Sequence, residues 1–396
     1  MKPLEGGLEH VKGFLYSAIK AEIRYPDRLD FSLIASKEPC NAAGVFTTNR
    51  IFAAPVKLCR ERIDGPVHGI LINATNANAA TGAEGYANAR ALTAGAAKLL
   101  GVDESSILMA STGIIGVQLP VERMLAALPG LTGSLSHEQA AAIPGAIMTT
   151  DTFPKSLAAS FSTSRGEFAI AGTAKGAGMI APNMATLLAF LVTDAPVAKN
   201  DLDAIFRRCI GTTLNSITID GDMSTNDTAI LLSPASQPPL AGAADLAAFE
   251  EALRHVLQGL GEMIVTDAEG ATKLARVTVT GAVHEDDARK AARAISQSLL
   301  VKTALFGRDP NWGRIACAAG YSGADVDENS ISIRIEDEWL YRNGAPVEGA
   351  AARLRDILER RSFTITVDLG RGSASATFLT SDISYDYVKI NAEYST

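Results

Sequence analysis

The segment Ala174-Lys-Gly-Ala-Gly-Met-Ile-Ala-Pro-Asn-Met-Ala-Thr-Leu-Leu-Ala-Phe-Leu-Val-Thr193 joins a glycine-rich turn to an uninterrupted apolar run. Thr186 opens the run, and residues 187–192 are all apolar, a pattern typical of a strand buried on both faces of a sheet. A hydroxyl at the start of such a strand, beside a flexible turn, is a candidate nucleophile. The same position also suits an ordinary strand-initiating threonine, so the local sequence leaves both interpretations open.

The composition is that of a large globular protein. The chain has 396 residues, 47% hydrophobic and 20% charged, enough for two domains or one large layered domain. The formal net charge is −8 and no dense run of lysine and arginine occurs, which argues against nucleic acid as a partner. No stretch of 18 consecutive apolar residues is present, so we expect no membrane span.

Cysteine and histidine placement gives no support for a disulfide framework or a metal site. The cysteines stand alone at positions 40, 59, 209 and 317, which favours buried free thiols in a reducing cytoplasm. The N-terminal residues also lack the apolar core of a signal peptide. The five histidines form no His-x-x-x-His or His-Glu-x-x-His pattern, and no Gly-x-Ser-x-Gly motif indicates a serine triad.

Strand and helix patterns alternate along the chain, but strand pairs also occur. The fold class is therefore predicted as α/β, with α+β as the alternative. Polar loops are predicted at 148–155 and 306–314. The predicted strands are residues 31–35, 44–48, 68–73, 105–110, 167–173, 186–192, 275–280, 330–335, 362–369 and 374–379. The predicted helices are residues 88–100, 120–128, 200–209, 246–260 and 286–300, with a further helix capped by Ser136 and broken at Pro144.

The turn Gly176-Ala-Gly-Met-Ile-Ala181 fits the dinucleotide-binding pattern Gly-x-Gly-x-x-Gly/Ala. That pattern binds a dinucleotide only where a helix follows the turn and presents its N-terminus to the pyrophosphate. Here Pro182 interrupts the would-be helix, and an apolar strand begins by Thr186. We therefore predict no nucleotide site at this turn and no bound cofactor.

The acidic segment Asp220-Gly-Asp-Met-Ser-Thr-Asn-Asp227 superficially resembles a calcium-binding loop. It lacks the glycine and the terminal glutamate that such a loop requires at fixed positions. We interpret its carboxylates as structural or as supports for a neighbouring site.

Residues 175–188 match throughout the pattern Lys-Gly-x-Gly-Met-Ile-x-Pro-x-Met-Ala-Thr-Met/Leu-Leu, and eight further blocks follow a shared order along the chain. These blocks are Gly44-Val-Phe-Thr-Thr-Asn-Arg50, Asn73-Ala-Thr-Asn-Ala-Asn-Ala79, Ser111-Thr-Gly-Ile-Ile-Gly116, Thr149-Thr-Asp-Thr152, Asp220-Gly-Asp-Met-Ser-Thr-Asn-Asp227, Asp267-Ala-Glu-Gly-Ala-Thr-Lys273, Asp309-Pro-Asn-Trp-Gly-Arg314 and Asn391-Ala-Glu-Tyr-Ser-Thr396. Together they resemble the ornithine acetyltransferase family of arginine biosynthesis over essentially the whole chain. Met223 departs from the pattern, because the family commonly has threonine there.

The resemblance implies self-cleavage of the bond between Ala185 and Thr186 in a fold like that of the N-terminal-nucleophile enzymes. The products would be an alpha chain of residues 1–185 and a beta chain of residues 186–396. Cleavage would give Thr186 a free α-amine with a pKa of about 7.7–8.0, able to act as general base for its own hydroxyl. One residue would then supply both nucleophile and base.

The resemblance also assigns roles to individual residues. Thr112 and Gly113 are expected to form the oxyanion hole that stabilises the tetrahedral intermediate. The residues expected to contact substrate are Thr149, Lys175, Thr186, Glu269, Asn391 and Thr396. Their chemistry suits an N-acetylated α-amino acid, with Lys175 for a carboxylate and Glu269 for the ornithine ammonium.

The function implied is ping-pong transfer of acetyl from N-acetylornithine to glutamate through an acetyl-Thr186 ester, with acetyl-CoA as a donor in some members of the family. The resemblance also implies that alpha and beta chains associate as α2β2. Two alternatives stay open at the level of sequence. One is an N-terminal-nucleophile amidase or aminopeptidase that passes the acyl group to water, and the other is a metabolite-binding protein without activity.

Overall fold

The computed structural model describes residues 1–181 and 187–393, which form two β-sheets with helices packed on them. In chain order the strands are β1 (Lys2–Leu4), β2 (Phe14–Ile19), β3 (Phe31–Phe46), β4 (Val67–Asn73), β5 (Ile107–Ser111), β6 (Lys155–Thr163), β7 (Gly166–Lys175), β8 (Leu188–Thr193), β9 (Ile217–Thr218), β10 (Thr228–Pro234), β11 (Leu274–Ala282), β12 (Ser332–Ile335), β13 (Glu338–Arg342), β14 (Ala345–Pro346), β15 (Ser362–Asp368) and β16 (Ala374–Ser381). The α-helices are α1 (Ala54–Arg62), α2 (Gly82–Leu100), α3 (Val121–Gly133), α4 (Ile143–Ala146), α5 (Lys199–Thr212), α6 (Ala243–Thr266), α7 (Glu285–Gln297), α8 (Leu299–Phe306), α9 (Trp312–Gly320), α10 (Ala350–Arg353), α11 (Arg355–Glu359) and α12 (Tyr385–Glu393).

The larger sheet has the strand order β1-β6-β7-β8-β10-β3-β4-β5, and β2 also pairs with β3. Most neighbours are antiparallel, whereas β8 with β10 and β4 with β5 are parallel pairs. Helices α5 and α6 cover one face, and α2 and α3 pack near the β4–β5 end. The predicted layering of helices on sheets is thus confirmed, with strand pairs of both orientations.

Strand β8 lies inside the larger sheet and is buried on both faces. Leu188 and Phe190 belong to one hydrophobic cluster, while Ala189 and Leu191 belong to the cluster on the opposite face. This alternation explains why the apolar run is uninterrupted and confirms the predicted buried strand from Leu188 onward. Its predicted first residue, Thr186, lies outside the described residues.

The smaller sheet has the strand order β14-β13-β12-β15-β11-β16-β9 and is covered by α7. Helix α6 contacts β6 and β7 of the larger sheet and β16 of the smaller one. Residues of β9 and β16, Ile217 and Leu379, share the hydrophobic cluster that α6 forms with the larger sheet. The two sheets therefore meet through a common core.

Several local predictions were wrong. The predicted helix at residues 286–300 is two helices, because Ser298 leaves helical conformation and caps α8 by accepting the Val301 N–H. The predicted loop at residues 306–314 contains the end of α8 and the start of α9. The strands predicted at residues 31–35 and 44–48 are one strand, β3, with an irregularity in its pairing to β4.

All four cysteines are free, and Cys40, Cys59 and Cys209 are buried. Cys317 is exposed, so the expectation of buried thiols fails at that position. Among the helices of the described residues, none combines the length and apolar character required to cross a bilayer.

Candidate active site

Six of the residues expected at the site line one cavity. They are Thr112, Gly113, Thr149, Lys175, Glu269 and Asn391. The remaining lining residues are Ala77, Ile115, Thr150, Gly178, Met179, Ser224, Thr225 and Asn226. The expected cleavage residues Ala185 and Thr186 and the C-terminal Thr396 lie outside the described residues. The structure therefore brings together residues that are up to 279 positions apart in sequence, from Thr112 to Asn391.

The Thr112–Gly113 turn follows β5 and packs tightly against the loop after β4. The Thr112 N–H donates to the carbonyl of Asn73 at 3.0 Å. Gly113 has φ +136°, and a Cβ there would lie 2.1 Å from the carbonyl carbon of Thr75. Only glycine can bring the backbone this close, which fixes the position of the turn beside the cavity.

This turn offers two donors to the cavity. The Thr112 N–H is already used, so the residue can contribute only its hydroxyl, which accepts from Lys175 Nζ at 3.2 Å. Within the described part of the chain, the Gly113 N–H has no hydrogen-bond partner. A hydroxyl and an amide N–H are donor types that can stabilise an oxyanion, and both residues line the cavity.

Lys175 is the last residue of β7, and its side chain is buried. Burial lowers the pKa of its ammonium below the usual range, whereas the charges of Asp151, Glu269 and Asp227 act in the opposite direction. The ammonium therefore sits in a poorly solvated, acidic environment, where its interaction with the Thr112 hydroxyl is strengthened.

Glu269 and Asn391 form another part of the lining. The Glu269 N–H donates to the carbonyl of Ala177 at 2.9 Å, which ties this loop to the turn after β7. Asn391, on helix α12, donates from Nδ2 to Glu269 Oε2 at 2.9 Å. A Cβ on Gly178 would lie 2.5 Å from the same carboxylate oxygen, so a side chain at this position would displace the Glu269 carboxylate.

Asp151 holds the backbone on both sides of the cavity's inner end. It accepts the Thr149 N–H at 3.0 Å and the Gly176 N–H at 2.7 Å. Burial alone would raise the pKa of its carboxyl, but the ammonium groups of Lys175 and Lys155 outweigh burial and lower that pKa to about 2. Asp151 is thus a fixed negative charge beneath the site.

Asp227 contacts the first described residue after the expected cleavage site. Its Oδ1 accepts the Leu187 N–H at 2.9 Å, and its Oδ2 has no hydrogen-bond partner among the described residues. Burial raises the pKa of this carboxyl well above its usual range, against the lowering effects of the Leu187 N–H and the Lys175 charge. The sequence marked Asp227 only as part of a shared block.

Asn226 also has a role that the sequence did not reveal. Its Nδ2 donates to the carbonyl of Ala77 at 2.6 Å and to that of Ser111 at 2.8 Å. The residue therefore holds the start of β10 against the end of β5 and the loop after β4. Its inclusion in a family block was the available signal, and spacing alone could not indicate the contact.

Three backbone N–H groups of the glycine turn after β7 already donate to carboxylates and are not available to a phosphate. Gly176 donates to Asp151, while Met179 and Ile180 donate to Asp220 at 2.5 and 2.9 Å. The carboxylates therefore accept from the backbone N–H groups that would otherwise bind a nucleotide phosphate. Asp220 acts here as a backbone acceptor, and the described residues hold no cluster of three or more His, Cys, Asp or Glu side chains suited to a metal ion.

Comparison with known proteins gives consistent matches. Residues 15–396 match the model of the ArgJ family. The arginine biosynthesis bifunctional protein ArgJ of Geobacter sulfurreducens is 49% identical over 392 residues, covering 98% of this chain and 100% of that protein. The protein of the same name from Chlorobaculum tepidum is 42% identical over 387 residues, covering 97% of this chain and 96% of that protein.

A solved structure agrees with these matches. The crystal structure of arginine biosynthesis bifunctional protein argJ from Bacillus halodurans has 37% sequence identity and a TM-score of 0.50 to this chain. The match covers 52% of this chain and 98% of that chain. The family predicted from the sequence blocks is thereby confirmed: the chain belongs to the ArgJ family and is an acyltransferase of arginine biosynthesis.

Proposed function

We propose that this enzyme transfers acetyl from N2-acetyl-L-ornithine to L-glutamate by a ping-pong mechanism in which Thr186 carries the acetyl group. The observation that carries the proposal is the convergence of Thr112, Gly113, Lys175 and Glu269 on one cavity. Gly178, which precedes Thr186, lines the cavity, and Leu187, which follows it, donates its N–H to Asp227 beside the lining residue Asn226.

In the first half-reaction, the Thr186 hydroxyl attacks the acetamide carbonyl of N-acetylornithine. The hydroxyl proton passes to the α-amine of Thr186 and then to the departing amine as the C–N bond breaks. Ornithine leaves, and the acetyl group remains as an ester on Thr186. In the second half-reaction, the glutamate amine attacks that ester, forms N-acetylglutamate and returns the hydroxyl to Thr186.

The negative charge on each tetrahedral intermediate would be stabilised by the Thr112 hydroxyl and the Gly113 N–H. Lys175 donates to the oxygen of the Thr112 hydroxyl at 3.2 Å, which leaves the hydroxyl hydrogen directed elsewhere. Donation to an oxygen also polarises the O–H bond, so the hydroxyl becomes a stronger donor. Oxyanion stabilisation of this kind is usually a large term in acyl transfer.

Substrate recognition follows from the charges of the lining. Glu269 supplies a carboxylate for the side-chain ammonium of ornithine, and Asn391 orients it through a 2.9 Å hydrogen bond. Lys175 supplies a cation toward the α-carboxylate, and Thr149 lines the same cavity. Thr396 completes the expected set of contacts by resemblance to the family.

We further propose that the enzyme matures by cleavage between Ala185 and Thr186 into an alpha chain of residues 1–185 and a beta chain of residues 186–396. Strands β7 and β8, one on each side of this bond, pair antiparallel over residues 170–175 and 188–193, so the fragments would stay associated. The Bacillus halodurans chain supports the proposal, because it is about half as long as this one. Pairing of two such units as α2β2, and a cytoplasmic location, are part of the same proposal.

Use of acetyl-CoA as a second acetyl donor is an extension of the proposal. The relatives are named bifunctional proteins, in agreement with two acetyl-transfer activities. No bound prosthetic group is required by the mechanism, because the acetyl group travels on Thr186 itself.

The experiment combines denaturing mass spectrometry with an acetyl-transfer assay on the purified protein. We expect two fragments split after Ala185, and release of ornithine from acetylornithine that depends on glutamate. Thr186→Ala should remain one chain without activity. Thr186→Ser should keep part of the self-cleavage and part of the acetyl-transfer activity. Acetyl release to water independent of glutamate would support an amidase instead, and an intact, inactive wild-type chain would support a binding protein.

A further inference from the structure

A buried ion cluster lies beneath the candidate site. Lys155 is the first residue of β6, and its side chain is fully buried, at 0% exposure. Its Nζ lies 2.7 Å from Asp151 Oδ1 and 2.5 Å from Asp267 Oδ2. Both carboxylates are also buried, so the lysine is held between two anions away from solvent.

The first carboxylate of this cluster controls one part of the cavity lining. Asp151 accepts the backbone N–H groups of Thr149 and of Gly176, the residue that follows Lys175. Any movement of Asp151 would therefore displace both of these lining segments.

The second carboxylate controls the segment that carries Glu269. Asp267 accepts the Thr152 N–H at 3.0 Å, and the Thr152 hydroxyl also donates to it. Glu269 follows two residues later and is tied by its own N–H to Ala177. The ion pair of Lys155 with Asp267 thus joins the Glu269 segment to the segment that contains Thr149.

We propose that Lys155 is a positioning residue that sets the spacing between the groups binding the acetylated amino-acid end of the substrate and Glu269, which binds the side-chain ammonium. The inference rests on the proposed function, which identifies the substrate as N-acetylornithine and assigns its ammonium to Glu269. Lys155 does not line the cavity, and it acts through Asp151 and Asp267. The same ion pair crosses the proposed cleavage point, because Lys155 precedes it and Asp267 follows it.

The test uses the charge-neutral double variant Lys155→Met/Asp267→Asn, which removes the ion pair without leaving Asp267 unpaired as a charge. Two substrates are compared, N-acetylornithine and N-acetylnorvaline, which lacks the terminal ammonium. Since small misplacements of binding groups cost up to about 100-fold, we expect kcat/KM for N-acetylornithine to fall by about 10-fold to 100-fold. The loss for N-acetylnorvaline should be much smaller.

Placing the same double variant in a Glu269→Gln background isolates the positioning effect. There the further loss on N-acetylornithine should shrink to about twofold, because the group being positioned is gone. Lys302→Met serves as a matched control: Lys302 is also fully buried, but it contacts Thr380 and Ser381 rather than the cavity. It should leave the preference between the two substrates unchanged.

The proposal would be overturned if the double variant lowered kcat/KM equally for both substrates. It would also be overturned if the loss of kcat/KM on N-acetylornithine were just as large in the Glu269→Gln background. Ornithine affinity measured by calorimetry gives a readout that needs no turnover, and it should weaken in the Lys155→Met/Asp267→Asn variant. If the wild type transfers no acetyl, the proposed function fails, while the ornithine affinities still decide the role of Lys155.

Discussion

Lys175 Nζ lies 3.2 Å from the hydroxyl oxygen of Thr112, joining the end of β7 to the turn after β5. Both side chains are buried, and the contact directs a cation at one of the two donors available for an oxyanion. The contact links the acidic surroundings of Lys175 to the chemistry expected at the Thr112–Gly113 turn. Because the Thr112 N–H donates to the Asn73 carbonyl, the hydroxyl is the group of Thr112 that the proposed mechanism uses as a donor.

Replacing Thr112 by Val should lower kcat by about 100-fold to 1000-fold, because one oxyanion donor is lost while the shape is kept. Steady-state acetyl transfer from N-acetylornithine to glutamate provides the measurement. Thr112→Ser keeps the hydroxyl and should retain most of the activity. If both variants were equally impaired, the hydroxyl would not be the group that matters.

Replacing Gly113 by Ala should destabilise the protein strongly, because the new Cβ would meet the Thr75 carbonyl in a left-handed backbone conformation. Gly116→Ala is the matched control, since Gly116 has φ +83° but open space around it. The control should cost roughly 1–2 kcal/mol for the backbone conformation alone. Gly113→Ala should cost roughly 1–3 kcal/mol more for the clash, measured by denaturant unfolding. Equal losses for the two variants would show that the turn can move away from Thr75.

Replacing Asp227 by Ala should cost about 1–3 kcal/mol of stability, because the buried Leu187 N–H loses its acceptor. Asp227→Asn keeps an acceptor oxygen and should cost less. Denaturant unfolding at neutral pH compares the two variants. A loss in Asp227→Asn as large as that in Asp227→Ala would mean that the negative charge, and not the hydrogen bond, is what the fold requires.

Lys302 should make stability rise with pH above neutrality. Burial lowers the pKa of its ammonium from 10.5 to about 7, although Asp220 and Asp382 act in the opposite direction. At a pH between these two pKa values, Lys302 carries a proton in the unfolded chain but not in the folded chain. Raising the pH therefore stabilises the folded state.

The expected slope is at most about 1.4 kcal/mol per pH unit between pH 7 and 10, relative to Lys302→Met. Unfolding free energies of the two proteins across this range provide the measurement. Parallel curves would mean that Lys302 keeps its charge throughout, held by its contacts with Thr380 and Ser381.

Local sequence patterns predicted those elements whose signals are contained within a few residues. The helix ending at Leu100 was predicted because Gly101 follows it, and Gly101 indeed adopts φ +71°. The buried strand β8 was predicted because both of its faces are apolar. Strand β6 was missed, since Leu157 and Phe161 stand among small and polar residues without a regular alternation, and the burial of the strand comes from α6 and β7.

The C-terminal helix is an element that local sequence patterns did not predict. No helix is predicted at residues 385–393, yet α12 forms there without a buried face of its own. It is held by specific contacts, among them Ser384 to the Gly270 carbonyl and Asn391 to Glu269. Tertiary contacts of this kind leave no repeating pattern in the sequence.

By itself, the sequence determined the family, the candidate nucleophile and the residues expected around it, because collinear motifs preserve chemical identity along the chain. Only the tertiary structure decided which groups of those residues are available: the Thr112 hydroxyl instead of its N–H, and turn amides already occupied by Asp151 and Asp220. It also revealed the buried Lys155 between Asp151 and Asp267. Hydrogen bonds and ion pairs depend on distances between segments remote in sequence, and those distances exist only once the sheets have packed.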